Sequence, residues 1–213
     1  MKTISIIGSG GMAAAIGGRI AKAGYGIEVL SRDPANAKAF AEKLGAGAKT
    51  GTYRARPSGD IVILAVPYKN AETVLADFGD TLKDKVIIDI TNPLADDLSG
   101  VVTPSGSSGA QEIAKHVPAS AHIVKAFNTI FGHVLARGER LDAFIAADDS
   151  NAKKLVSALL EGIGLRPLDV GGLRMAQTLE AIGLMMIGIA KNGAGTWDLA
   201  LKVDIGSSAQ SKK

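Results

Sequence analysis

The residues Thr3-Ile4-Ser5-Ile6-Ile7-Gly8-Ser9-Gly10-Gly11-Met12-Ala13 decide the fold. The first five form a short β-branched run that ends at glycine, as a buried strand does. From Met12 the chain reads MAAAIGGRIAKA, a helix over 12–23 with small residues on one side, stopped by Gly24. Between strand and helix lies G-x-G-x-x-[GA]. In that pattern Gly8 permits a tight turn, Gly10 lets a pyrophosphate approach the backbone, and Ala13 lets helix and strand pack closely. The helix start adds free N–H groups and the positive end of its dipole. A glycine pair alone makes only a turn. A strand before it and a helix after it make it a dinucleotide-binding loop. Gly8, Ser9, Gly10, Gly11, Met12 and Ala13 are therefore cofactor-binding candidates.

The same alternation continues along the chain. Strands are expected over 27–30, 61–66, 86–90, 122–126, 143–147 and 165–170. Helices are expected over 36–44, 70–75, 108–116 and 151–163, with Gly45 closing the first of them. Several of these strands are apolar or nearly so, such as IVILAV and, but for Asp89, VIIDI, which marks a parallel sheet covered on both faces. The fold class is α/β: a Rossmann-type doubly wound, mostly parallel sheet with a small C-terminal helical element. The composition changes near Gly171, so the chain divides into a nucleotide-binding domain over 1–170 and a helix-plus-strand element over 171–206. The second part opens with a long apolar helix over 171–191. Trp197, Leu199, Leu201 and Val203 alternate with other residues, so 196–204 reads as a last strand or a packed helical turn. The polar residues 207–213 read as a disordered tail.

Composition excludes several kinds of chemistry. The absence of cysteine removes disulfides, thiolate metal sites and a cysteine nucleophile. The three histidines are scattered and no metal-ligand spacing occurs. Lys and Arg are spread along a chain of net charge +3, which gives nucleic acid no patch to bind. The N-terminus lacks the h-region of a signal peptide. The longest apolar stretch, 179–190, is short for a bilayer and contains Glu180. These features predict a soluble, cytoplasmic protein.

In a doubly wound sheet, ligands lie beyond the carboxyl ends of the strands. The second strand ends in Ser31-Arg32-Asp33. Serine stands where a ribose-binding carboxylate would select NAD, and a guanidinium follows that can grip a 2′-phosphate. Ser31 and Arg32 favour NADP; Asp33 leaves an ambiguity between a ribose contact and a helix cap. Later strand ends present Ala65-Val66-Pro67-Tyr68, Thr91-Asn92-Pro93 and Ala126-Phe127-Asn128, all cofactor-binding candidates. Asn92 and Asn128 can hydrogen-bond a carboxamide or an acceptor. Asn128 and His133 are the candidate catalytic residues. Asp89 reads as an acceptor for backbone N–H groups of a neighbouring loop. Lys125 reads equally as a phosphate or acceptor contact and as a solvated strand residue.

GSGGMA at 8–13, SRDP at 31–34, AVPY at 65–68, TNPL at 91–94 and KAFNT at 125–129 occur in this order. Together they resemble the F420-dependent NADP reductase family, which also includes the reductase domain of the STEAP metalloreductases. The resemblance implies a Rossmann domain that binds NADP(H) and a C-terminal helical cap over an acceptor pocket. Hydride in that family passes between nicotinamide and a flavin-like ring. It implies Phe127, Asn128 and Thr129 near the transfer position, with 184–187 in the acceptor wall by position. Such a transfer depends on placement of two rings more than on acid–base groups. The expected acceptor is a small molecule: coenzyme F420, a flavin (FMN or FAD), a quinone or a small carbonyl compound. The chain carries no membrane haem domain of the STEAP kind. The competing readings are a non-catalytic NADP(H)-binding redox sensor and an NAD-dependent dehydrogenase, for which the acid–base residues are weak. The long apolar helix predicts a homodimer.

Overall fold

A computed structural model describes residues 2–206; the tail expected over 207–213 lies outside the described residues. The first half runs β1 (Thr3–Ile7), α1 (Gly11–Lys22), β2 (Gly26–Leu30), α2 (Pro34–Leu44), β3 (Lys49–Thr50), β4 (Ile61–Leu64), α3 (Tyr68–Phe78) and β5 (Val86–Asp89). The second half runs α4 (Gly109–Ala114), β6 (His122–Lys125), α5 (Gly132–Ala136), β7 (Asp142–Ile145), α6 (Ser150–Gly162), β8 (Arg166–Asp169) and α7 (Ala176–Gly188). Six strands form one parallel sheet in the order β3-β2-β1-β4-β5-β6. The order reverses between β1 and β4, which opens a crevice at their carboxyl ends. β7 and β8 form a parallel pair, joined to β6 by an antiparallel exchange between Lys125 and Ala146 (2.9 and 3.1 Å).

The continuous apolar strands are explained by burial on both faces. Ile4, Ile6, Ile61 and Ile63 pack with α1, α2 and α6 on one side. Ile7, Val62, Leu64 and Ile87 pack with α3 and α4 on the other. Helix starts follow the sequence: Asp33 caps α2, Ser108 caps α4 and Asp149 caps α6. The reciprocal partner of Ser108 is Gln111. Arg19, on α1, is buried in the core. Its guanidinium donates to Leu135 O (2.7 Å), Ile163 O (3.1 Å) and Glu139 O (2.6 Å), around the ends of α5 and α6.

Two C-terminal expectations need correction. The apolar helix is part of a longer helical run, Leu173–Ala194, of 22 residues. It begins as a 3-10 turn and ends as a π-helical turn, Ile189–Ala194. By length and composition this run is sufficient to cross a membrane. Its inner face, however, buries Leu173, Ala176, Leu179, Glu180, Gly183, Met186 and Ala190, as a core helix does. Nor is there a strand or helical turn over 196–204. The segment has no regular structure and is held at its backbone: Val203 N–H donates to Asp142 (2.7 Å), and Arg166 donates to Val203 O (2.5 Å). Of the alternating apolar side chains, Leu201 packs against the core and Trp197 meets Phe131 edge-on, while Trp197 and Val203 stay largely exposed.

Candidate cofactor cleft

The carboxyl ends of β1, β2, β4 and β5 frame two clefts that meet at the glycine loop. The larger, about 520 Å³, is bounded by Gly10–Met12, Ala65–Lys69, Ile90–Asn92 and residues of the 94–102 loop. The smaller, about 210 Å³, is bounded by Gly8–Gly10, Leu30–Arg32, Tyr53 and Ala65–Pro67. Gly10, Ala65, Val66 and Pro67 belong to both, so an elongated ligand crossing the loop occupies the two in turn.

The glycines of the loop differ in physical role. Gly8 has φ +115°, and a β-carbon there would lie 2.2 Å from Ala65 O; the chain itself demands glycine. Gly10 and Gly11 have nothing within 4 Å of where a β-carbon would stand. Their lack of a side chain serves no internal packing and leaves space above the loop. Gly10 is also the N-cap of α1 and covers its first N–H groups with no side chain. Free N–H donors at a helix start, under open space, fit a pyrophosphate. Ala13 is fully buried, where its small side chain brings α1 against the sheet.

At the end of β2 the Asp33 ambiguity resolves. Its carboxylate accepts from Ala35 N (2.8 Å) and Asn36 N (3.3 Å), which commits it to capping α2. Ser31 Oγ accepts from Asp33 N (3.3 Å), and exposed Arg32 borders the smaller cleft. Opposite stands Tyr53, which the sequence reading missed. It follows the two-residue strand β3, which carries no apolar signal. Its hydroxyl donates to Asp77 (2.9 Å) and its ring meets Phe78 edge-on at 5.0 Å. Burial, then the Asp77 contact, pushes its phenol up to about 12, so the ring is a neutral, fixed wall.

The larger cleft collects Gly10, Gly11, Met12, Ala65, Val66, Pro67, Tyr68, Thr91 and Asn92. Lys69 and the 94–102 loop complete it without having been expected. The remaining candidates lie elsewhere. Pro93 and Ala126 are buried away from both clefts. Phe127 is wholly buried in the core with φ +64°, so it is no ring-contacting residue. Asn128 donates to Asn92 Oδ1 (2.9 Å) and Leu179 O (2.8 Å), while Asn92 donates to Asn128 O (2.8 Å). These amides brace the 91–93 turn against α7, where Gly183 leaves room for Asn92. His133 stacks on Phe131 and lies 3.3 Å from Asp198, outside the clefts. Residues 184–187 do not border the larger cleft either; Met186 faces the core and Met185 is exposed. Lys125 is neither a ligand contact nor solvated: it is fully buried against Asp89 and Glu180 (2.8 Å each). Asp89 does accept a loop N–H, from Thr91 (2.8 Å).

A family model described as NADP oxidoreductase, coenzyme F420-dependent, matches residues 3–93. Over that stretch the chain is similar to the family. It is 29% identical to the F420-dependent NADP reductase of Methanothermobacter thermautotrophicus, with 89% of each chain covered. It is also 29% identical to the metalloreductase STEAP3 of Rattus norvegicus over 86% of this chain. It spans only 37% of that relative's length. A crystal structure from Arthrobacter sp. FB24, put forward as an F420-dependent NADP reductase, superposes with a TM-score of 0.82 at 21% identity. That superposition covers 95% of this chain and 99% of the other, so the shared fold extends through the C-terminal element.

Proposed function

We propose that this chain is a member of the F420-dependent NADP oxidoreductase family, and an NADP(H)-dependent oxidoreductase whose second substrate is a small flavin-like molecule, coenzyme F420 first among them. The observation that carries the reading is the uncapped start of α1 beneath Gly10 and Gly11, at the junction of two clefts. The loop from Gly8 to Met12 binds the pyrophosphate, with Ala13 packing α1 behind it. Ser31, Arg32 and Tyr53 hold the adenosine half with its 2′-phosphate in the smaller cleft. Ala65–Tyr68 and Thr91 border the nicotinamide half in the larger one. Bound NADPH supplies the hydride. The protein's part is to hold two rings in contact and keep water from between them. The 94–102 loop, with Val102 exposed at its edge, offers an apolar rim for a planar acceptor. The archaeal relatives named as F420-dependent NADP reductases support that acceptor. A cytoplasmic homodimer, joined through the open face of α7 and the π-helical turn after it, where Met185 and Ile189 are exposed, belongs to the same reading.

The test is NADPH oxidation with coenzyme F420, FMN, FAD, quinones and ferric chelates in turn. Turnover with F420 is expected. NADPH binding without turnover on any acceptor would favour the redox sensor instead. Replacing Arg32 with alanine is expected to weaken NADPH by roughly 10-fold or more while sparing NADH. Equal affinity for NADPH before and after the change would remove Arg32 from the site.

A further inference from the structure

Hydride transfer leaves one group of buried charges without a task. Lys125 ends β6 with its side chain wholly buried. Its ammonium donates to Asp89 Oδ2 (2.8 Å), Glu180 Oε1 (2.8 Å) and Thr91 O (2.6 Å), which uses all three hydrogens. Asp89 Oδ1 accepts from Thr91 N (2.8 Å). Glu180, from α7, accepts from Gly109 N (2.8 Å) and Ala110 N (3.2 Å) of α4. Such a cluster is a poor device for stability, because apolar residues of the same volume commonly do as well. Its geometry points to another use.

The cluster grips Thr91 at both backbone groups: Asp89 takes its N–H and Lys125 takes its C=O. Thr91 borders the larger cleft. The residue is 4% exposed, and its hydroxyl has no hydrogen-bond partner. A buried hydroxyl left unpaired is costly, and the grip on both sides holds the backbone, so no shift of the chain at Thr91 relieves it. Neighbouring Asn92 cannot take its place, since both polar atoms of its amide are engaged by Asn128. We infer that Lys125, with Asp89 and Glu180, is a positioning residue that holds the Thr91 hydroxyl ready for the carboxamide of the nicotinamide half. A carboxamide both donates and accepts, as a hydroxyl does. The inference rests on the NADP(H) reading. It also gives α7 a part in the site, because Glu180 ties that helix to the cleft floor.

The experiment measures dissociation constants for NADPH and for adenosine 2′,5′-bisphosphate, which lacks the nicotinamide half. Thr91→Val removes only the unpaired hydroxyl. Its unfolding temperature should be equal to or above that of the wild type, its NADPH affinity about 10-fold lower, and its bisphosphate affinity unchanged. Unchanged NADPH affinity in this variant overturns the inference. Lys125→Met should give the same selective loss, with no further loss in Lys125→Met/Thr91→Val, because the lysine acts through the threonine. Additive losses, or equal loss of both ligands, would make Lys125 structural only and overturn its positioning role. If Lys125→Met fails to fold, Lys125→Met/Glu180→Gln, which removes one charge of each sign, is compared in the same way. A wild-type protein that binds neither compound would instead overturn the NADP(H) reading, and the inference with it.

Discussion

Gly10→Ala separates what the glycine loop does for the fold from what it does for a ligand. In the protein alone the added methyl meets nothing within 4 Å. The backbone at Gly10, φ −78° and ψ −176°, is one that alanine adopts freely. As an N-cap, alanine is worse than glycine by about 0.5–1 kcal/mol. A less flexible unfolded chain offsets this by about 0.4–1 kcal/mol. Stability should therefore change by no more than about 0.5 kcal/mol. Binding should suffer far more, because the methyl stands where a phosphate must reach the α1 N–H groups. Losing two charge-assisted hydrogen bonds, at about 1.5–3 kcal/mol each, means a loss of affinity greater than roughly 100-fold. Gly8→Ala is the opposite case. Positive φ and a 2.2 Å approach to Ala65 O together should destabilise by about 2–5 kcal/mol. Thermal unfolding and calorimetric NADPH titration of both variants check this. A Gly10→Ala protein that binds NADPH within threefold of the wild type, or that melts as early as Gly8→Ala, would refute the reasoning.

Asp33→Ala should lower stability by about 1 kcal/mol through loss of the α2 cap, yet leave the ratio of NADPH to NADH affinity unaltered; a shifted ratio would return Asp33 to the ribose. Acid should destabilise the protein in a defined way. Hydrogen bonds from Arg166 hold Asp142 below its ordinary value of 3.8, and the Ala152 N–H does the same for Asp149. Each contributes stability above that value and loses it as pH falls through the lower folded value. Urea midpoints from about pH 6 to about pH 3 should fall, and Asp142→Asn should flatten the fall. Paired Met185→Glu and Ile189→Glu substitutions should convert the proposed dimer to monomer in sedimentation; a wild type already monomeric would remove that part of the reading.

What was legible in the sequence followed from local rules. A strand, a glycine turn and a helix in 20 residues fixed β1, the loop and α1, because each residue type there has one conformational use. Apolar runs, broken in β5 only by Asp89, gave β4 and β5. What escaped depends on distant partners. β3 is two exposed residues with no pattern, recognisable only by its pairing with β2. Lys125 looked as much solvated as functional because its partner Glu180 comes from a helix 55 positions away. The Asn92–Asn128 pair illustrates the same limit, since nothing local reveals that two amides expected to meet a ligand bond to one another instead. Phe127 was expected at a ring because it follows a strand, yet its positive φ turns it into the core.

The Arg19 guanidinium has a consequence for how the chain is made. Its acceptors, Leu135, Glu139 and Ile163, follow it by 116, 120 and 144 positions. During synthesis the nucleotide-binding half emerges long before those carbonyls exist, so until then this helix must keep its charge in water. Burying it earlier would strand an unmatched cation. The last turn of α1 therefore settles only when α5 and α6 arrive. A fragment cut after residue 93 would carry the glycine loop intact and still lack the anchor that seats its first helix, so the two halves should melt as one unit.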